Sequence, residues 1–159
     1  MESGQSDSTT RGVRVRVGGQ YLPERSDPDR QRYLFAYRVI LVNEGQETVK
    51  LLSRHWIVRD ALNEANEVRG AGVVGKFPEL APGESFEYVS GCPLPTPWGT
   101  MEGSYRMRSG SGAEFDVAIG RFFLAPNTAP LSDLRLSRRK QRRDPIEHSS
   151  SATGPADSD

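Results

Sequence analysis

The chain has 159 residues, 35% of them hydrophobic and 26% charged, which suits one water-exposed globular domain with tails. Its formal net charge is zero, so bulk electrostatics select neither nucleic acid nor an anionic membrane. No run of about 18 apolar residues is present to span a bilayer, and the single cysteine, Cys92, excludes an internal disulfide.

Residues 1–10 are polar and lack an apolar h-region, which predicts a disordered leader and a cytoplasmic address. Val13, Val15 and Val17 alternate with Arg14 and Arg16, the period-2 pattern of a half-buried strand. Tyr21-Leu22-Pro23 extends it as an edge, and Ser26-Asp27-Pro28-Asp29 is turn chemistry. Residues 33–42 form the strongest strand. Phe35, Tyr37, Val39 and Leu41 share one face; Leu34, Ala36, Ile40 and Val42 share the other, interrupted by Arg38. Apolar residues on both faces predict a central or covered position. Asn43-Glu44-Gly45-Gln46 then reads as a hairpin turn, with residues 49–60 as the partner strand.

Residues 61–83 look looser, with four glycines, Pro78 and Pro82. A strand over 86–92 follows, ended by Pro93, Pro95 and Pro97, which lack the N–H a ladder needs. Residues 101–107 alternate again. Ser109-Gly110-Ser111-Gly112 turns the chain, Phe115, Val117 and Ile119 return, and Phe122-Phe123-Leu124 closes the domain. Short strands, frequent turns and no helical period point to an all-β antiparallel sandwich over 11–126, with a barrel as the rival. From Pro126 onward Pro, Ser, Arg and Asp dominate, which predicts a disordered basic and polar tail over 127–159. Its basic stretch, 135–143, carries no interleaved aromatic residue to stack bases, which speaks against nucleic acid.

Several segments resemble the ApaG family. They include Tyr21-Leu22-Pro23-Glu24, Leu52-Ser53-Arg54-His55-Trp56-Ile57, Glu67-Val68-Arg69-Gly70 through Gly75, Ser90-Gly91-Cys92-Pro93-Leu94 and Gly99-Thr100-Met101-Glu102-Gly103-Ser104-Tyr105. The resemblance runs in order over about 11–126. It implies an immunoglobulin/fibronectin-type-III-like β-sandwich that mediates protein–protein interaction, together with an association with cobalt and magnesium homeostasis. In Leu80-x-Pro82-Gly83-x-x-Phe86, fibronectin type III domains usually place tyrosine where Phe86 stands, its hydroxyl bonding back to the backbone. Phenylalanine cannot make that bond, so packing alone is expected to hold this corner.

Gly70-Ala71-Gly72-Val73-Val74-Gly75 satisfies G-x-G-x-x-G, but no buried strand precedes it, Pro78 stops any following helix, and no acidic residue stands where a ribose would need one. It also misses a phosphate-binding P-loop, because Phe77 follows Lys76 where a magnesium-binding hydroxyl belongs. The bland reading is a turn. The functional one is a weak anion nest for phosphate or pyrophosphate from Arg69, Gly70, Gly72, Gly75 and Lys76. Ser53-Arg54-His55-Trp56 lies on a strand, with 53 and 55 on one face and 54 and 56 on the other. Arg54, His55 and Trp56 are a candidate interaction surface; for Trp56 the competing reading is a core residue. His55 with Asp60, Glu67 or Glu102 is the only metal-ligand candidate, without H-x-x-H or C-x-x-C spacing. Cys92 reads as a small buried hydrophobe. No cofactor, nucleophile–base pair or oxyanion set is assembled by these motifs, so the expectation is a non-catalytic module. A protein partner or a second copy of the chain would join an exposed sheet edge by strand addition. A sensor of small anions or divalent cations is the alternative.

Overall fold

The computed structural model describes residues 4–126, so the expectations for 127–159 lie outside the described residues. Nine strands are found there: β1 (Gln5–Thr10), β2 (Val13–Tyr21), β3 (Tyr33–Asn43), β4 (Val49–Asp60), β5 (Ala65–Ala71), β6 (Glu79–Leu80), β7 (Ser85–Leu94), β8 (Gly99–Ser109) and β9 (Glu114–Leu124). They form two antiparallel sheets. One has the order β1-β2-β3-β7; the other runs β5-β4-β8-β9, with β6 also on β4. The expected all-β sandwich is therefore what the chain builds.

The core follows the alternation read from the sequence. Val13, Val15 and Val17 of β2 and Phe35, Val39 and Leu41 of β3 are fully buried. They face Leu51 and Trp56 of β4, Tyr105 and Met107 of β8, and Val117, Ile119 and Phe122 of β9. Trp56 joins the layers: its ring lies 5.2 Å from Tyr37 on the opposite sheet, 6.3 Å from Tyr105 and 6.2 Å from Phe122, each edge-on. Such pairs add about 0.5–1.5 kcal/mol each beyond area burial. The Tyr88 and Tyr105 hydroxyls meet at 2.6 Å inside the core, a polar link from β7 to β8. Strand β3 is central as expected, between β2 and β7. On its outer face Ile40 and Val42 form a small second cluster, flanked in register by Arg14, Arg16, Glu87 and Ser85.

Four expectations are corrected. First, the leader expected to be disordered over 1–10 contains β1, paired along its length with β2. Its composition is polar because it binds by hydrogen bonds rather than by apolar burial. Ser6 Oγ donates to the Gly120 carbonyl at 2.7 Å, Ser8 Oγ to that of Ala118 at 3.0 Å, and Ala118 N to Thr10 Oγ1 at 3.2 Å. These side chains stitch one sheet edge, β1, to an edge of the other, β9. Asp7 adds a two-pronged bond to Arg14, at 2.9 and 2.7 Å.

Second, Asn43–Gln46 is no hairpin: β3 and β4 lie in different sheets, and the segment crosses between them. Asn43, 1% exposed, organises the crossing. Its amide donates to the Glu47 and Leu80 carbonyls, and its Oδ1 accepts from Gly45 N. Its backbone also holds the Pro82-Gly83 corner, through Gly83 N to Asn43 O and Asn43 N to Glu84 O. The corner at Phe86 is thus pinned by Asn43 as well as by packing. Third, the looser stretch 61–83 contains β5 and β6. Fourth, β7 continues through Pro93 to Leu94, because only one side of this edge strand needs ladder donors.

Two outcomes are expected. Replacing Ser6 and Ser8 together by alanine should cost about 1–3 kcal/mol, read by urea unfolding, because each bond is worth about 0.5–1.5 kcal/mol. The Arg14 bond holds the Asp7 carboxyl below its usual range. Its contribution is therefore present above pH about 4 and lost as pH falls through the lowered folded value. The melting-temperature gap between wild type and Asp7→Asn should accordingly close below pH 4.

Candidate functional site

A register shift between Leu51 and Ser53 sets the faces of β4. Beyond it Trp56 turns inward, while Ser53 and His55 point to the outer face of the β5-β4-β8-β9 sheet. Across the ladders His55 stands opposite Arg69 on β5 and Ser104 on β8. Ser53 stands opposite Arg106, which stands opposite Asp116 on β9. These residues, with Arg54 and Gly70, line an open depression of about 310 Å³.

Its charges are arranged in pairs. His55 Nε2 lies 2.9 Å from Glu67 Oε1, and Arg69 Nη2 lies 3.2 Å from the same oxygen. The His55 hydrogen bond, aided by Arg69, holds the Glu67 carboxyl below its usual range. Arg106 Nη1 binds Asp116 at 3.1 Å and its Nε lies 3.4 Å from Glu114, which raises the guanidinium's affinity for its proton. Arg54 sits at the rim. Its Nη1 donates to the Ala71 and Gly72 carbonyls at 3.1 and 3.0 Å. The guanidinium lies over Gly70, where a Cβ would stand 2.7 Å from it, so a larger residue at 70 would displace the Arg54 head.

The sequence candidates fall into three groups. Arg54, His55, Arg69 and Gly70 are brought together in this depression. Trp56, 1% exposed, belongs to the core and not to any accessible surface. Gly72, Gly75 and Lys76 form a separate tight turn with Gly72, Val74 and Gly75 at positive φ. The turn uses its own donors: Gly72 N binds Leu52 O, Val73 N binds Lys76 O, and Lys76 N binds Val73 O. Those three N–H groups are not presented to an outside anion. Among the described residues no cluster of three or more His, Cys, Asp or Glu side chains could hold a metal, and His55 meets one carboxylate, Glu67. Cys92 is buried, 4% exposed.

Ser104, Arg106 and Asp116 are site residues the motif reading missed. Their signal was present in the alternation of β8, where Ser104 and Arg106 are set between Gly103, Tyr105 and Met107, and of β9, where Asp116 separates Phe115 from Val117. Chemically the depression offers guanidinium and imidazole donors beside exchangeable carboxylates, a surface suited to binding acidic or mixed-charge groups. No helix among the described residues is long and apolar enough to cross a membrane.

One consequence is measurable. With His55→Ala, the Glu67 carboxyl is expected to titrate at a higher pH, back toward the ordinary value of about 4.3. Side-chain carboxyl NMR reads it, and an unmoved titration would contradict the 2.9 Å bond.

Comparison with known proteins places the chain in a family. The family model described as "ApaG domain" matches residues 23–109. "Protein ApaG" of Methylobacterium sp. (strain 4-46) is 55% identical over 115 residues, 72% of this chain and 88% of that protein. "Protein ApaG" of Caulobacter vibrioides is 50% identical over 123 residues, 77% of this chain and 88% of that protein. A crystal structure from Bordetella pertussis superimposes with TM-score 0.69 at 45% identity, covering 81% of this chain and 100% of that one. The chain belongs to the ApaG family.

Proposed function

We propose that this ApaG-family chain is a non-catalytic binding module that recognises an acidic segment of a protein partner on the outer face of its β5-β4-β8-β9 sheet. The observation that carries the reading is the depression in which His55, Arg69 and Arg106 converge with Ser53 and Ser104, with Arg54 only bordering it. Arg69 and Arg106 there already hold carboxylates of the same chain, which supports carboxylate recognition. An incoming acidic side chain exchanges with Glu67 or Asp116, both exposed, at little cost in desolvation.

The same face argues against chemistry. His55 Nε2 is turned to Glu67, and among the described residues neither Ser53 nor Ser104 hydrogen-bonds His55. A Ser–His mechanism needs that bond and an oxyanion hole.

A second reading is a small-anion site, favoured by one observation: Arg69 and Gly70 of the glycine segment line this depression together with Arg54. One titration separates the two. Labelled full-length chain is mixed with a Glu-rich peptide and, separately, with inorganic phosphate and pyrophosphate. Saturable amide shifts at Ser53, His55, Arg69 and Ser104 with the peptide, weakened about tenfold or more by Arg106→Ala, support the protein-binding module. Shifts with phosphate alone support the anion site. Silence with all ligands at millimolar concentration refutes both.

A further inference from the structure

We propose that β5 pairs with β5 of a second copy of the chain, antiparallel about a two-fold axis through Val68. The inference goes beyond the groove reading and does not depend on it.

β5 is an edge strand: its hydrogen-bonded neighbour is β4 on one side. Ala65, Asn66, Glu67, Arg69 and Ala71 are exposed. The orientation of its peptide groups follows from its two ends. Gly72 N donates to Leu52 O, and Glu64 O accepts from Asp60 N. Even-numbered residues therefore aim their N–H and C=O at β4. By strand alternation Ala65, Glu67, Arg69 and Ala71 aim theirs outward. Such a row of outward groups is a template for another strand.

The side chains select one register. An antiparallel partner must place outward residues opposite outward residues. Centring the axis on Glu67 sets Glu67 against its own copy; centring it on Arg69 does the same with arginine. Both juxtapose like charges, which is destabilising. Centring on Val68 sets Glu67 against the second copy's arginine at 69, twice, and alanine 65 against alanine 71, twice. Both charges of each such pair project from the same outer sheet face, where Glu67 and Arg69 already meet at 3.2 Å within one chain. Gly70 and Asn66 lie opposite one another and add no bulk. The sequence Ala65-Asn66-Glu67-Val68-Arg69-Gly70-Ala71 is thus complementary to itself in this register. At the outermost positions the Ala71 carbonyl is shared with Arg54.

The β1 and β9 edges lack this property. β1 and β9 are stitched to each other through Ser6, Ser8 and Thr10. A seven-residue strand pair is smaller than a standard stable interface, so the dimer is weak and concentration-dependent. Pairing makes one continuous sheet of the two β5-β4-β8-β9 layers and sets the two depressions side by side across the axis.

Sedimentation of the full chain over a range of concentrations tests the inference. Wild type is expected to shift from monomer to dimer as concentration rises. Glu67→Arg and Arg69→Glu should each weaken that dimer about tenfold or more, because each creates like-charge pairs. Mixing the two variants should restore association as a heterodimer, because one edge is then all arginine and the other all glutamate. A wild type that stays monomeric to millimolar concentration overturns the inference. So does a dimer indifferent to both substitutions, which would lie on another face. Should a charge variant fail to fold, mixed Ala65→Cys and Ala71→Cys chains replace it, since their Cα atoms would stand about 5.5 Å apart in the dimer. A disulfide linking 65 to 71 between chains is expected, and its failure to form under oxidation overturns the register. Loss of peptide binding without loss of the dimer would instead count against the groove reading alone.

Discussion

The burial of Trp56 fixes which side chains β4 presents on the outer face of its sheet. Its ring meets Tyr37 from the opposite sheet and Tyr105 and Phe122 from its own. A large ring held on three sides cannot rotate β4 without opening a cavity, and aromatic truncation in a core costs about 3–5 kcal/mol. With Trp56 inside, period-2 alternation leaves His55 no choice but the outer face. Register then brings Arg69 and Ser104 beside it. The groove is therefore a consequence of core packing. It is built on strands rather than loops, so its cationic groups are presented by a stiff support.

The two sides of the sandwich manage their sheet edges differently. At β1 and β9, hydroxyl side chains bridge from one sheet to backbone groups of the other, and the corner is closed. At β5 the strand has β4 on one side and its outward peptide groups on the other. Charged residues on an edge usually block pairing. Here Glu67 and Arg69 have opposite sign and straddle Val68, so they block most registers and favour one. Arg69 also lines the groove, and Glu67 meets both it and His55, so the edge and the face share these side chains.

The sequence made the interior legible and the exterior much less so. Val13, Val15, Val17, Phe35, Tyr37 and Trp56 announce themselves by alternation and size, and all are buried. β1 was hidden because Ser6, Ser8 and Thr10 act through hydroxyls, and polar residues near a terminus read as disorder until their acceptors on β9 are known. The crossing at Asn43 imitates a hairpin turn, because turn chemistry records that the chain bends but not whether the next strand joins the same sheet. The glycine segment carried a nucleotide-binding pattern whose N–H groups the structure uses internally at Gly72, Val73 and Lys76. Of the site, Arg54, His55, Arg69 and Gly70 were legible as separate motifs. Ser104, Arg106 and Asp116 were not, because only cross-strand register brings them to His55.

The account depends most on the direction in which the β5 peptide groups point, since that direction sets both the groove wall and the open edge. Residue-resolved amide hydrogen exchange of the full chain, at micromolar concentration, measures it directly. The amides of Val68 and Gly70 are predicted to be protected by β4, and those of Glu67 and Arg69 to exchange rapidly. The opposite alternation, with Glu67 and Arg69 slow and Val68 and Gly70 fast, would contradict the account.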